Sequence, residues 1–393
     1  MFALSRLVRK PIARIALAAA TLFGVAACEP VALTGGGTGP RIDPAQPVPV
    51  ALLVPKGAAG GGAVVGRGLE NAARLAMTEL NGARIDLRVY DTAGDAAQAT
   101  EAATRAVQDG AQIILGPLYT QSTSAATTVI AGQDINMLSF SNNTAVAGGN
   151  VYILGQTFSD TANRLTRFAV RQGIGSVAVV HAQDVAGEAG RAAIVQAAQA
   201  GGLGIAGVES YALSQEGIDA AGPRIANLVK SSGAQSVFLT ANVDSDLPVI
   251  AEALPAAGVS PANTRFIGLT RWNSVSEVAR LPGLQGGWFA LPDQTIQASF
   301  DARYRAAYGE APHPLAGLAY DGIKAIGSLA ASGRADALTG GALTQSDGFA
   351  GASGVFRLRA DGTNERSLAV AQIQNNQVVV IDPAPQRFGR AGF

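Results

Sequence analysis

The side chains that most often carry out chemistry in enzymes are scarce in this sequence of 393 residues. It has one cysteine, Cys28, and two histidines, His181 and His313. One cysteine cannot form an internal disulfide or a thiolate zinc site, and two histidines cannot form a multi-histidine metal centre. The carboxylates form no acid–base constellation, and no phosphate-binding loop or nucleophile-elbow motif occurs. We therefore expect a protein that is not an enzyme and that has no metal and no cofactor.

A second group of residues indicates binding, because each lies at the end of, or after, an apolar run that has the pattern of a buried strand. Ligands of open α/β sheets bind at the carboxyl ends of strands, beside helix N-termini. For any one of these residues, capping or turn formation is the alternative role, and the glycine-rich segment is alternatively a surface loop. The candidate cleft residues are Gly61, Gly62, Thr120, Ser122, Ser141, Asn142, Asn143, His181, Asn242, Arg271 and Trp272.

The elements that must position these residues alternate between apolar runs and alanine-rich stretches with helical spacing. The strand candidates form two series, at 48–54, 85–91, 111–116 and 135–141, and at 176–181, 204–211, 235–241 and 264–270. Near-continuous apolar strands separated by helices predict parallel sheets covered on both faces. Gly202, Gly204 and Gly207 fit a dinucleotide-binding spacing, but they follow a helix and precede a strand, which is the wrong order.

The N-terminus has the features of an export signal. Residues 1–10 are basic, residues 15–25 are apolar, and Ala26 and Ala27 precede Cys28. This boundary resembles the bacterial lipobox, in which the cysteine is lipidated, so we expect a signal peptide at 1–27. Residues 28–47 then form a lipidated cysteine and a flexible Gly/Pro-rich tether. Glu29, which is not aspartate, favours the outer membrane among exported lipoproteins.

Charge excludes nucleic acid as a partner. The 29 basic and 29 acidic residues balance, and residues 1–14 contain four of the basic residues and no acid. The chain without its signal peptide is therefore mildly acidic, which does not suit a polyanion.

Several segments, taken in order, resemble the leucine/isoleucine/valine-type periplasmic binding proteins. They are VALLVP (50–55), VYDTAGD (89–95), ILGPLYT (114–120), MLSFSNN (137–143), VAVVH (177–181) and AYDGIKAI (319–326). The resemblance covers residues 48–385 and implies the type I fold of that family. This is an α/β fold with two doubly wound parallel-sheet lobes joined by three crossovers. The implied crossovers lie near Val151–Thr157, Phe289–Gln294 and Leu343–Gly348.

The same resemblance implies how the chain divides between lobes. Residues 48–154 and 292–345 would form lobe 1, and residues 155–291 and 346–393 would form lobe 2. Within the superfamily, YDTAG, ILGPL and LSFSN look most like the lipoprotein activators of penicillin-binding proteins. That implies a periplasm-facing, non-enzymatic lipoprotein that stimulates a peptidoglycan synthase. The alternative is the receptor of an ABC importer for branched-chain amino acids or a related small ligand, with the importer permease as its partner.

The resemblance also carries expectations for single residues. Thr120, Ser141 and Asn143 match positions that hold an amino acid's carboxylate and ammonium in family receptors. Ala186 stands where those receptors have a tyrosine, and Arg271 stands near the place of an acidic ammonium partner. An arginine repels an ammonium and attracts an anion. We therefore expect no tight binding of leucine, isoleucine or valine.

Overall fold

The computed structural model describes residues 39–389, which form two α/β lobes and a small third sheet. The strands are β1 Val48–Val54, β2 Ile85–Asp91, β3 Ile113–Leu115, β4 Asn136–Ser139, β5 Val151–Ile153, β6 Ser176–Ala182, β7 Gly204–Tyr211, β8 Ser236–Leu239, β9 Arg265–Gly268, β10 Trp288–Leu291, β11 Phe349–Gly351, β12 Gly354–Leu358, β13 Asn364–Arg366, β14 Ala369–Gln374 and β15 Gln377–Asp382. The helices are α1 Gly61–Thr78, α2 Ala96–Gln108, α3 Thr120–Ile130, α4 Phe158–Arg171, α5 Val185–Gly201, α6 Gln215–Ser232, α7 Leu247–Ala256, α8 Gln294–Tyr308, α9 Gly317–Ala330 and α10 Gly340–Leu343.

The first lobe is built on five parallel strands in the order β2-β1-β3-β4-β5. Helices cover both faces of this sheet, so consecutive side chains of a central strand are buried on opposite sides. Leu52 and Leu53 of β1 are both 0% exposed. Helix α1 contacts the sheet through an apolar stripe that includes Leu69, Ala72 and Ala76. In the sequence, Val65, Leu69, Ala72 and Ala76 recur at helical spacing, which is the pattern of such a stripe.

The second lobe is built on seven strands in the order β15-β14-β10-β9-β8-β6-β7. Strands β6 to β10 are parallel, whereas β14 and β15 add an antiparallel edge. The chain passes between the two large sheets three times, at residues 154–157, 292–293 and 367–368. The predicted α/β class, with two doubly wound lobes and three crossovers, is confirmed.

The third sheet, β11-β12-β13, departs from the sequence-based expectation. Phe349, Phe356 and Leu358 lie in the same hydrophobic core as β1 and α9 of the first lobe. The third crossover is therefore at residues 367–368, and its prediction near Leu343–Gly348 was wrong. A sheet of three short antiparallel strands is stable only when one face packs on a hydrophobic core, and here that core belongs to the first lobe. We propose to place the border between the lobes after β13 and not at residue 346.

The N-terminal predictions fall largely outside the described residues, which is where the signal peptide, Cys28 and Glu29 lie. The last part of the predicted tether is described and is folded. Ile42 is 4% exposed in the first core, and its N–H donates to the carbonyl oxygen of Ala335 at 2.8 Å. The prediction of a flexible tether therefore does not hold for Ile42. Within residues 39–389, no helix combines the length and apolar character needed to cross a membrane.

Candidate functional site

A cavity of about 790 Å³ lies where the first lobe, the second lobe and the crossovers meet. This volume is within the range of small-molecule sites, roughly 300–1,000 Å³. The first lobe contributes the residues after β3 and β4 together with parts of α8 and α9, and the second lobe contributes Arg271 and Ser274. Gly155 and Pro292 bring two crossovers to its edge. The cavity thus occupies the carboxyl ends of parallel strands, where α/β folds bind ligands.

Four of the predicted cleft residues line this cavity, namely Thr120, Ser141, Asn142 and Arg271. Thr120 begins helix α3, and its Oγ1 lies 3.5 Å from Oγ of Ser141. The Ser141 hydroxyl accepts the N–H of Asn143 at 3.1 Å, and either hydroxyl of the Thr120–Ser141 pair can donate to the other. No side-chain cap closes the start of α3, which leaves its first N–H groups as further donors.

Two predicted residues of the first lobe have local structural roles and do not line the cavity. Ser122 is buried, and its hydroxyl lies 3.5 Å from the carbonyl oxygen of Asp95. Asn143 is exposed and caps a short 3-10 helix, because its Oδ1 accepts the N–H of Ala145 at 3.0 Å. These are the capping and turn roles that the sequence left open as alternatives.

Two predicted residues of the second lobe also lie outside the cavity lining. His181 is 5% exposed; its Nδ1 is 3.0 Å from the carbonyl oxygen of Ala182 and 3.7 Å from a carboxylate oxygen of Glu188. Asn242 is exposed in a turn, where its Oδ1 accepts the N–H of Asp244 at 3.1 Å. Strand ends in this lobe therefore supply fewer cleft residues than expected.

Trp272 is a core residue and not a wall of the cleft. It is 0% exposed, packs in the core of the second lobe, and its ring centroid lies 5.7 Å from that of Phe289. Gly268 makes room for the indole, since a Cβ at that position would lie 2.2 Å from Nε1. Arg271 and Trp272 are adjacent in the sequence and were both predicted to line the cleft. The 3-10 turn that begins at Trp272 places their side chains in different environments.

Gly61 and Gly62 are helical and do not form the predicted loop. They occupy the first turn of α1, and Gly60 before them has a φ of 60° that favours glycine. Gly62 does not line the cavity itself but lies close to Tyr119, which does; a Cβ on Gly62 would be 3.2 Å from the Tyr119 hydroxyl.

The structure adds an ion pair that the sequence analysis missed, between Arg366 of β13 and Asp321 of α9. Both residues line the cavity, Asp321 is 1% exposed, and Nη1 of Arg366 lies 2.8 Å from Oδ2 of Asp321. The N–H of Ala352 donates to Oδ1 at 2.6 Å. Burial raises the pKa of Asp321, and the Arg366 charge opposes that rise. The sequence does contain one indication of this pair, because Asp321 is the single acidic residue in the largely apolar segment AYDGIKAI and a buried carboxylate needs a partner.

Several polar atoms at the cavity have no partner among the described residues. They are Nε of Arg271, Nη2 of Arg366 and Oε1 of Gln297, and each is buried. Burial also lowers the pKa of Arg271. Buried donors and acceptors are nearly always paired in folded proteins, so these atoms are candidates for ligand contacts.

His313 is a further lining residue whose protonation the structure constrains. The N–H of Leu315 donates to Nδ1 of His313 at 3.1 Å, so Nε2 carries the proton in the neutral ring. Burial lowers the pKa of His313 and favours this neutral form. The ring can therefore act as a donor at the cavity edge. No cluster of three or more histidine, cysteine or acidic side chains suited to a metal occurs in the described part of the chain.

A second depression, of about 810 Å³, lies at the opposite edge of the second sheet. Gln235, Thr264 and Arg265 line it, and these residues stand at the amino ends of β8 and β9. Helix N-termini and strand carboxyl ends do not converge there. The interlobe cavity is therefore the better candidate for ligand binding.

Comparison with solved structures supports the fold. A protein from Rhodospirillum rubrum assigned to branched-chain amino acid ABC transport has a TM-score of 0.71 at 19% identity, covering 86% of this chain and 100% of that one. An ABC transporter substrate-binding protein from Desulfitobacterium hafniense in complex with Leu has a TM-score of 0.61 at 15% identity, covering 86% and 100%. A solute-binding protein from Rhodopseudomonas palustris BisB5 in complex with 3,4-dihydroxybenzoic acid has a TM-score of 0.55 at 15% identity, covering 87% and 97%.

No curated protein sequence matches the chain. A family description, periplasmic binding protein, matches residues 47–377, which is most of the chain. The resemblance noted from the sequence is thus confirmed at the level of the superfamily, and it indicates a protein that acts outside the cytoplasm. On this match, the chain belongs to the periplasmic binding protein family.

Proposed function

We propose that this protein is the extracytoplasmic receptor of an ABC importer and that it holds a small polar solute between its lobes. The observation that carries the proposal is the interlobe cavity with its unpartnered polar atoms. Thr120 and Ser141 supply hydroxyls from the first lobe, and Arg271 supplies a guanidinium from the second. A ligand that contacts both lobes would stabilise a closed form, which the permease partner can distinguish from the open form.

Leucine, isoleucine and valine are poor candidates for that solute. Ala186, which stands in place of the expected tyrosine, is exposed in the first turn of α5 and provides no aromatic wall. Arg271 has no carboxylate partner among the described residues, so its charge would repel an ammonium group. The expectation of no tight branched-chain amino acid binding therefore stays a prediction.

Activation of a penicillin-binding protein is the second candidate. It rests on the segments YDTAG, ILGPL and LSFSN. Of these segments, ILGPL and LSFSN contribute lining residues to the cavity, so a solute receptor accounts for them as well. The structural neighbours named above are ABC transport proteins, and they favour the receptor over the activator.

One pair of measurements separates the two functions. The chain from residue 28, carrying Cys28→Ser, is titrated with a library of small solutes by thermal shift and calorimetry. It is also added to a peptidoglycan synthase from the same bacterium. Saturable solute binding that Arg271→Gln weakens, without an effect on synthase rate, supports the receptor. Faster glycan synthesis without solute binding would establish the activator in its place.

Membrane attachment through Cys28 is part of the proposal. Wild-type protein should sediment with membranes, and Cys28→Ser should move it to the soluble fraction, because lipid chains provide the anchor. Fractionation of the two membranes adds a second test. Importers work in the cytoplasmic membrane, so attachment to the outer membrane, as Glu29 suggests, would favour the activator.

A further inference from the structure

We infer that the interlobe cavity selects a small carboxylic acid without an ammonium group, and that Arg366 and Arg271 are its anion-recognising residues. This inference rests on the proposed receptor function and names the class of its ligand. It concerns two guanidinium groups, from different parts of the fold, that line one cavity and retain buried N–H donors.

Three contacts hold the Arg366 side chain in place, and they leave one guanidinium nitrogen, Nη2, without a hydrogen-bond partner. Nε donates to the carbonyl oxygen of Leu154 at 2.8 Å, and Nη1 donates to Asp321 at 2.8 Å. The guanidinium carbon lies 5.0 Å from the ring centroid of Phe356. Nη2 has no partner, although the side chain is 7% exposed. A preorganised donor of this kind binds an oxygen acceptor with little loss of conformational entropy.

Arg271 provides the charge that the ligand must neutralise. It follows β9 in the second lobe, its Nε is buried without a partner, and none of the ion pairs of the described residues includes it. Burying an unpaired cation is costly, and an anionic ligand removes that cost. Because Arg366 belongs to the third sheet and Arg271 to the second lobe, the two donors approach the cavity from different sides.

The two carboxylates of the lining do not satisfy Arg271. Asp321 is already bonded to Arg366 and to the N–H of Ala352. Asp301 lies on α8, where burial raises its pKa and the charge of Arg305, one turn further on, opposes the rise; it forms no ion pair with Arg271. Arg271 therefore has no partner charge among the described residues, and an ammonium placed beside it would be unfavourable.

The rest of the lining indicates the body of the ligand. Several apolar side chains of the first lobe line the cavity, and the acid's carbon skeleton can pack against them. These side chains are Leu118, Phe140, Phe300, Leu315 and Leu318. The hydroxyls of Thr120 and Ser141 add neutral donors for the acid's oxygens.

The test compares acids with their uncharged amides. The probes are benzoate against benzamide, 4-methylpentanoate against 4-methylpentanamide, and leucine as the ammonium-bearing counterpart of 4-methylpentanoate. The protein is the chain from residue 28 with Cys28→Ser, studied by calorimetry. At least one acid should bind ten times more tightly than its amide, and 4-methylpentanoate should bind more tightly than leucine.

Variants assign the selectivity to residues. Arg271→Gln should lower acid affinity roughly tenfold to a hundredfold, the usual effect of losing a charge-assisted hydrogen bond, and should leave amide affinity nearly unchanged. Arg280→Gln, a change at an exposed arginine that does not line the cavity, is the control. Arg366→Gln alone would leave the buried carboxylate of Asp321 without its cation. Arg366 is therefore tested in the double variant with Asp321→Asn, and this variant should also lose selectivity for acids.

Three results would overturn the inference while leaving a solute receptor in place. They are equal binding of acid and amide, tighter binding of leucine than of 4-methylpentanoate, and an Arg271→Gln variant that behaves like Arg280→Gln. If no probe and no member of the solute library binds, and the protein accelerates a peptidoglycan synthase, both the inference and the receptor function fail.

Discussion

Loss of Arg366 should destabilise the fold, and by an amount that depends on pH. Arg366→Met removes the cation that lies 2.8 Å from Asp321 and leaves a carboxylate that is 1% exposed. It also removes the bond to the carbonyl oxygen of Leu154. Breaking a buried ion pair from one side typically costs roughly 3–5 kcal/mol. We expect the free energy of unfolding at pH 7.5, from urea titration, to fall by about that amount.

The pH dependence follows from the carboxylate that remains. Burial already raises the pKa of Asp321, and Arg366 opposes the rise, so the variant should raise that pKa further. A carboxyl whose folded pKa exceeds its unfolded value stabilises the fold when protonated, and this stabilisation disappears as pH rises through the folded pKa. The deficit of Arg366→Met should therefore be smaller at pH 5 than at pH 7.5.

The double variant with Asp321→Asn and a surface control complete this experiment. Asp321→Asn removes the unpaired charge, so the double variant should recover part of the stability at pH 7.5 and lose the part of the pH dependence that comes from Asp321. The charge of Arg366 also opposes the raised pKa of Asp160, so a smaller pH dependence should remain. Arg280→Met, at an exposed position, should change stability little. A deficit below about 1 kcal/mol, or one that is equal at both pH values, would refute the assignment of a buried, mutually dependent pair.

Two further predictions concern other buried positions. Burial raises the pKa of Asp160 to about 6, although hydrogen bonds from Thr157 oppose the rise. The stability of the fold should therefore decline as pH rises through that value. Asp160→Asn should weaken the pH dependence of the urea midpoint between pH 4.5 and 7. Gly283→Ala should lower the thermal midpoint clearly, because its Cβ would lie 1.8 Å from the carbonyl oxygen of Ala251, whereas Gly61→Ala, with open space around it, should not. A pH profile that Asp160→Asn does not flatten would contradict the burial of this carboxyl, and an unchanged midpoint for Gly283→Ala would contradict its close contact with Ala251.

Local patterns were sufficient to predict most of the fold. The runs at 85–91 and 204–211 coincide with β2 and β7, and the apolar stripe of α1 was readable from its spacing. Period-2 and period-3.6 patterns report which side of an element is buried, and this information is local in the chain. The β11–β13 segment also has a strand pattern, but its own residues do not specify which lobe it covers.

The candidate site was harder to predict from the sequence because the residues that make its main contacts are far apart in the chain. Asp321 and Arg366 are 45 positions apart, and each alone looks like an ordinary charged residue. Thr120 and Ser141 could be found since both lie at or shortly beyond the end of an apolar strand run. His313 and Gln297 belong to a loop and a helix without any such signal, and only the packing of α8 and α9 brings them to the cavity.

The position of Arg366 connects the ligand site with the segments that join the lobes. It is the last residue of β13, directly before the crossover at 367–368, and it bonds to Leu154 at the start of the first crossover. Two of the three connections between the lobes thus meet at a side chain that also lines the cavity. Lobe closure in such folds concentrates backbone rotation in a few connecting residues. A ligand oxygen bonded to Nη2 would therefore contact the residue that bonds to the first crossover and directly precedes the third.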